Sequence, residues 1–183
     1  MPPPENIPRY APHRELPPYS YVSGLFPHPI RDPAGHAYGQ HPEPKLPPDL
    51  TRPAACPTFL YGLDLFNAGY YWEAHEVWES LWHACGRQGT GADFLKGLIK
   101  LAAAGVKARE ARPSGVQSHA QRAAELFRHV AQVWPPAEPL LGLSLPELIQ
   151  HSDTLSTHPI ADTQPDPLPV KIMFPFRLQI QAQ

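Results

Sequence analysis

Cysteine is scarce in this chain. Only Cys56 and Cys85 occur among 183 residues, and they have no CxxC spacing. Two lone cysteines in a chain of this size argue against a disulfide scaffold and for a reducing compartment. Excess charge of one sign is also missing. The formal net charge is -2, and no basic run of the kind that tracks phosphates is present, so neither nucleic acid nor an acidic membrane is an expected partner. No run of about 18 apolar residues exists to span a bilayer. The opening stretch MPPPENIPRY lacks the apolar centre of a secretion signal. No GxSxG, P-loop or dinucleotide fingerprint occurs, and no internal repeat. The expectation is a soluble, cytoplasmic protein.

Proline is what the chain has in excess. Fifteen of its 26 prolines lie in residues 1–53, ten in 113–183, and only Pro57 in 54–112. Proline removes a backbone donor and breaks helix interiors, so this map divides the chain. We expect a proline-rich arm over residues 1–53, partly ordered over the body, a helical domain over 54–157, and an extended tail over 158–183. Within the arm, LPPYSYVSGLFPHPIRDPAGHAYG carries Tyr19, Tyr21, Phe26 and Tyr38, with turn signals at Asp32-Pro33 and Gly35. Disordered segments are poor in aromatics. Leu16 to Gly39 are therefore expected to lie extended and ordered across the helices, with residues 1–12 and 40–50 mobile.

The centre reads as helices. Pro57 suits a first helical position. Phe59, Leu60, Leu63, Phe66 and Asn67 then recur at helical spacing up to Ala68, before Gly69 as a C-terminal cap. A second helix is expected from Tyr71 to Ala84 and a third from Ala92 to Glu110. The third has small residues (Gly97, Ala102 to Ala104, Gly105) for close helix approach, and a polar stripe of Lys96, Lys100 and Lys107. Pro113-Ser114-Gly115 reads as a break, followed by a fourth helix from about Val116 to Val133 and a short fifth from Pro146 to Leu155 after Ser144 as N-cap. From Val170 to Ile180 the period switches to two, the pattern of an extended strand that Pro175 confines to an edge or an unpaired ribbon.

The chemistry-bearing run is EAHEVWESLW, Glu73 to Trp82. At about 100° per residue, Ala74, Val77, Trp78, Leu81 and Trp82 form an apolar arc, and His75, Glu76, Glu79 and His83 a polar arc beside it. His75 and Glu79 are i, i+4 neighbours. Imidazole and carboxylate at that spacing converge on one divalent ion (zinc, manganese or iron). HEVWE is similar to the HExxH zinc-protease pattern, with Glu79 standing where the second histidine would be. In this reading His75 and Glu79 are ligands, and Glu76 is the catalytic base or a further ligand. Two ligands need at least one more, and the arm offers His28, Asp32 and His36. The competing reading is structural: a His and Glu network between tryptophans that fixes the packing of neighbouring elements. Trp78 and Trp82 border the arc, His83 extends it, and Lys100 is a candidate counter-charge to Glu76 or Glu79. Cys56 and Cys85 read as small apolar residues.

Residues 57–130, through FLYGLDLFNAGYYWEAHEVWESLWHACG and the later FLKGLIKLAAAGVK, resemble the domain of unknown function family 309. The resemblance implies an all-α fold, a small bundle of about five helices, and the loose label of predicted metal-dependent hydrolase. Its motif falls on Asn67, Glu73, His75, Glu76, Trp78, Glu79 and Trp82. Lys100 occupies a position associated with glutamine in relatives. Two functions follow as expectations. One is a metal-dependent, hydrolase-like enzyme acting on a small-molecule ligand. The other is a non-catalytic helical binding or assembly module, a homodimer through its helices or its C-terminal tail.

Overall fold

Pro57, whose missing N–H is an orphan at any helix start, opens α1 (Pro57–Asn67). The other helices are α2 (Tyr71–Ala84), α3 (Thr90–Arg109), α4 (Pro113–Ala131) and α5 (Leu145–Thr157), with a short 3-10 turn at Pro53–Ala55 before α1. The computed structural model describes residues 8–40, 43–135 and 137–181. Among the described residues the protein is an all-α bundle of five helices without a sheet. None of these helices is long and apolar enough to cross a membrane.

Two helix starts differ from expectation for local reasons. α3 begins at Thr90 because Gly89, at φ 88°, supplies the backbone reversal just before it. α4 begins at Pro113 because proline at the first helical position costs no hydrogen bond. Pro113-Ser114-Gly115 is thus the first turn of α4 and not a break. Ser144 caps α5, its Oγ accepting from Glu147 N–H at 3.4 Å.

Each helix packs chiefly on its neighbour in the chain. Glycines set how closely. Tyr71, at the start of α2, lies against Gly105, late in α3, and Phe127 of α4 lies against Gly97. A Cβ added at Gly105 would stand 2.4 Å from Tyr71 ring carbons, and that ring is buried. Gly105→Ala is therefore expected to destabilise the protein by about 2 kcal/mol through overpacking. A urea melt of the variant checks it, and a midpoint equal to wild type would contradict the contact.

Tyr61 to Asn67 of α1 are seven consecutive buried residues. A helix buried all round needs cover on every face, and here the two non-helical ends of the chain supply it. The arm is pinned by buried carboxylates. Asp64 of α1 accepts from Tyr10 N–H at 2.7 Å and Ala11 N–H at 2.9 Å, with Arg9 Nε at 3.3 Å. Glu73 of α2 accepts from Tyr21 N–H at 2.9 Å. Docking thus begins upstream of Leu16, and residues 8–12 are anchored where mobility was expected; residues 1–7 and 41–42 lie outside the described residues. From Val22 to Gly39 the arm runs as a succession of turns and not as an extended segment, as its prolines and glycines dictate.

The tail is extended but joins no sheet. Asn67 donates Nδ2–H to Leu178 O and accepts Leu178 N–H at Oδ1, both at 2.8 Å. Its amide thereby replaces the partner strand that a period-two segment otherwise needs. The Tyr71 hydroxyl accepts from Met173 N–H at 2.8 Å and Phe174 N–H at 3.3 Å. Arg109, at the end of α3, donates to Leu168 O at 2.5 Å. Phe174 and Leu178 are buried, and Phe176 stacks on His151 of α5 with ring centres 4.0 Å apart.

Candidate metal centre

α2 carries the dense motif, and the fold divides it by face. Ala74, Trp78 and Leu81 point into the core. Trp78 is fully buried, and its indole lies against Gly62 of α1, where a Cβ would stand 2.2 Å from Nε1. That leaves Trp78 Nε1 without a hydrogen-bond partner, so this tryptophan is a packing residue. Glu73 is also buried and turned to the arm, where His36 Nε2 lies 3.2 Å from its Oε1. Asn67 holds the tail. Neither Asn67 nor Glu73 reaches the rest of the polar arc.

His75, Glu76 and Glu79 remain, all half-buried. Each offers one ligand atom, and those atoms lie within 4.8 Å of one another. His75 Nδ1 is buried, lacks a hydrogen bond, and lies 3.4 Å from Glu76 Oε1. No other hydrogen bond or ion pair engages the three side chains among the described residues. Two carboxylates at i, i+3 on one helix repel one another, so an unpaired half-buried pair favours a cation between them.

The donor set fits a divalent ion. Ligand atoms at about 2.0–2.2 Å from such an ion lie about 3–4.4 Å from each other. The observed separations are within a small side-chain rotation of that range. One imidazole and two carboxylates suit zinc, manganese or iron.

The remaining expected site residues lie elsewhere on the molecule or border the cluster. His83 is exposed, and its Nδ1 accepts from Arg87 Nε–H at 3.0 Å. Trp82 is half-buried, with the Arg87 guanidinium 5.4 Å and Lys96 Nζ 5.5 Å from its ring centre. The arm residues do not supply ligands. His28 packs its ring on Tyr21 and Trp72 at 4.9 and 5.4 Å, Asp32 accepts from Ala34 N–H at 2.9 Å, and His36 belongs to Glu73.

Two residues that bear on the site were not singled out in the sequence. Trp72 falls at about 260° on the α2 wheel, in the sector of His75, Glu76 and Glu79. It is therefore one turn above the cluster and carries the arm at that point; extending the wheel by one residue was enough to find it. His119 of α4 is the other. Burial, then the nearby charges of Lys100, Lys107 and His75, hold its imidazole below the ordinary histidine value. No sequence pattern links it to α2, because α3 stands between them.

Residues 59–119 match the family described as Domain of unknown function (DUF309). The likeness is to this segment alone. It runs from the first turn of α1 to the middle of α4, contains the whole of α2 and α3, and ends at His119. The arm, α5 and the tail lie outside it. No curated protein matches the chain.

Proposed function

We propose that this protein binds one divalent cation through His75, Glu76 and Glu79. The observation that carries the reading is the convergence of three ligand atoms within 4.8 Å on side chains that have no other partners. A structural network pairs its members, as Glu73 and Asn67 do with arm and tail. The cluster does not follow that rule, which is why the non-catalytic network reading fits its neighbours and not the cluster itself.

The finer reading is a metal-dependent hydrolase. A bound cation supplies Lewis acidity and a more acidic water at neutral pH. The chain's own residues divide the remaining work. His75 and Glu79 hold the site from adjacent helical turns, and a Glu76 carboxylate engaged through one oxygen keeps the other to accept a proton. Trp82 walls one side of the arc, and Trp72, with the arm over it, limits water at the other. The substrate is a small molecule.

The test is metal analysis of protein purified without a histidine tag. About one equivalent of zinc, manganese or iron is expected, with more than a tenfold loss of affinity in His75→Ala, since loss of even an outer-shell partner acts on that scale. Sub-stoichiometric metal that His75→Ala leaves unchanged would remove the reading.

A further inference from the structure

The surface next to the cluster bears positive charge. Its geometry follows from helix register. Tyr71 meets Gly105 and Trp82 meets Lys96, so α2 and α3 run antiparallel, and equal rise per residue sets His75 level with Leu101 to Ala103. Phe127 meets Gly97 and Lys107 meets Gly115, so α4 is antiparallel to α3 and His119 is level with Ala103 to Gly105. Lys96, Lys100, Ala103 and Lys107 fall within an arc of about 60° on α3. All four are half-buried, whereas Ala102 and Ala104 beside Ala103 are buried. Ala103 is thus the low point of a shelf, with His75 on one side, His119 on the other, and Lys100 and Lys107 along it. The influence of His75, Lys100 and Lys107 on His119 agrees with this layout.

The charges on the shelf are not all matched. Lys107 Nζ is engaged by Glu110 at 2.6 Å. Lys100 has no ion pair or side-chain hydrogen bond among the described residues, and neither does His119. An unpaired lysine and an unpaired imidazole on either side of Ala103 offer N–H donors on one half-buried surface, and such donors select an oxyanion.

We infer that Lys100 and His119 form an oxyanion-binding shelf beside the His75, Glu76 and Glu79 cluster, so that the ligand of this site carries a phosphoryl or carboxylate group. The link between that group and a cation rests on the metal reading above; the shelf itself rests on α3 and α4. Ala103 admits the anion because any larger side chain there would fill the space. Glu76 and Glu79 repel the anion when no cation lies between them, so binding tightens with the cation present.

Titration of the full chain with inorganic phosphate and, separately, with acetate tests this, followed by NMR of the histidine imidazoles. The His119 resonances are expected to move in a saturable way, and Lys100→Gln to weaken that binding about tenfold while leaving the melting temperature unchanged. Tighter phosphate binding assigns a phosphoryl ligand, and tighter acetate binding a carboxylate; either order supports the shelf. Resonances that stay in place with both anions, or affinity that Lys100→Gln does not alter, would overturn it. Calorimetry with manganese on the same proteins separates the two claims. Manganese binding without anion binding removes the shelf and leaves the metal reading. Anion binding that depends on Lys100, without manganese binding, removes the metal reading and leaves the shelf.

Discussion

Asp64→Ala is expected to cost about 2–4 kcal/mol, because it leaves two backbone N–H groups and the partly exposed Arg9 guanidinium without their acceptor. That corresponds to a fall in melting temperature of about 10 °C for a chain of this length. Asp64 is 1% exposed. It is the common acceptor of two backbone N–H groups and lies 3.3 Å from the Arg9 guanidinium. In the variant these donors either stay in place without an acceptor or swing into water with residues 9–11. The first outcome carries the desolvation penalty of each unpaired group. The second uncovers α1, including Tyr61, whose hydroxyl donates to Glu15 O in the same stretch. Asp64→Asn keeps one acceptor oxygen and should lose about half as much. Calorimetry measures the loss, and limited proteolysis reports whether residues 8–39 become cleavable. A loss under about 1 kcal/mol would mean that the arm does not stabilise the bundle through Asp64.

The second large effect is alkaline. Burial pushes the Tyr71 hydroxyl from 10.0 up to about 12, against the two backbone N–H groups of Met173 and Phe174 that favour its phenolate. The folded value is raised above the unfolded one. The stability this provides is therefore complete below pH 10 and is lost as pH rises towards 12. A separation of this size is worth about 3 kcal/mol for a fully buried group. Stability measured by denaturant titration should fall across that interval, with the tail released first, since Tyr71 holds it at Met173. Tyr71→Phe should be less stable at neutral pH, because both N–H groups lose their acceptor, but flatter above pH 10. A variant with the wild-type alkaline slope would assign the effect to other tyrosines, such as Tyr61 and Tyr70, which burial also raises.

The helices were legible because their evidence is local. The proline-free centre, the spacing of Phe59, Leu63 and Phe66, and Gly69 locate α1 and α2 within a residue. The polar arc was legible for the same reason: i, i+4 spacing places His75 beside Glu79 whatever surrounds them. What was not legible depends on partners far away in the chain. Asn67 and Glu73 sit in the motif as if part of its chemistry, yet Asn67 binds backbone 111 residues away and Glu73 backbone 52 residues away. Only the folded chain distinguishes a carboxylate that pins the arm from one that faces solvent. The alternation of the tail predicts an extended segment, but its backbone partners are side chains, which no periodicity announces. No sequence signal marks His119, because its link to His75 passes over Ala103, a residue with no chemistry of its own.

The central claim is that His75, Glu76 and Glu79 hold one cation. Anomalous diffraction from a crystal soaked in manganese or zinc tests it most directly. A single anomalous peak is expected about 2.0–2.2 Å from a His75 nitrogen and from oxygens of Glu76 and Glu79, absent in His75→Ala. A peak at Glu73 and His36 instead, or no peak while the three side chains stay apart, would contradict it.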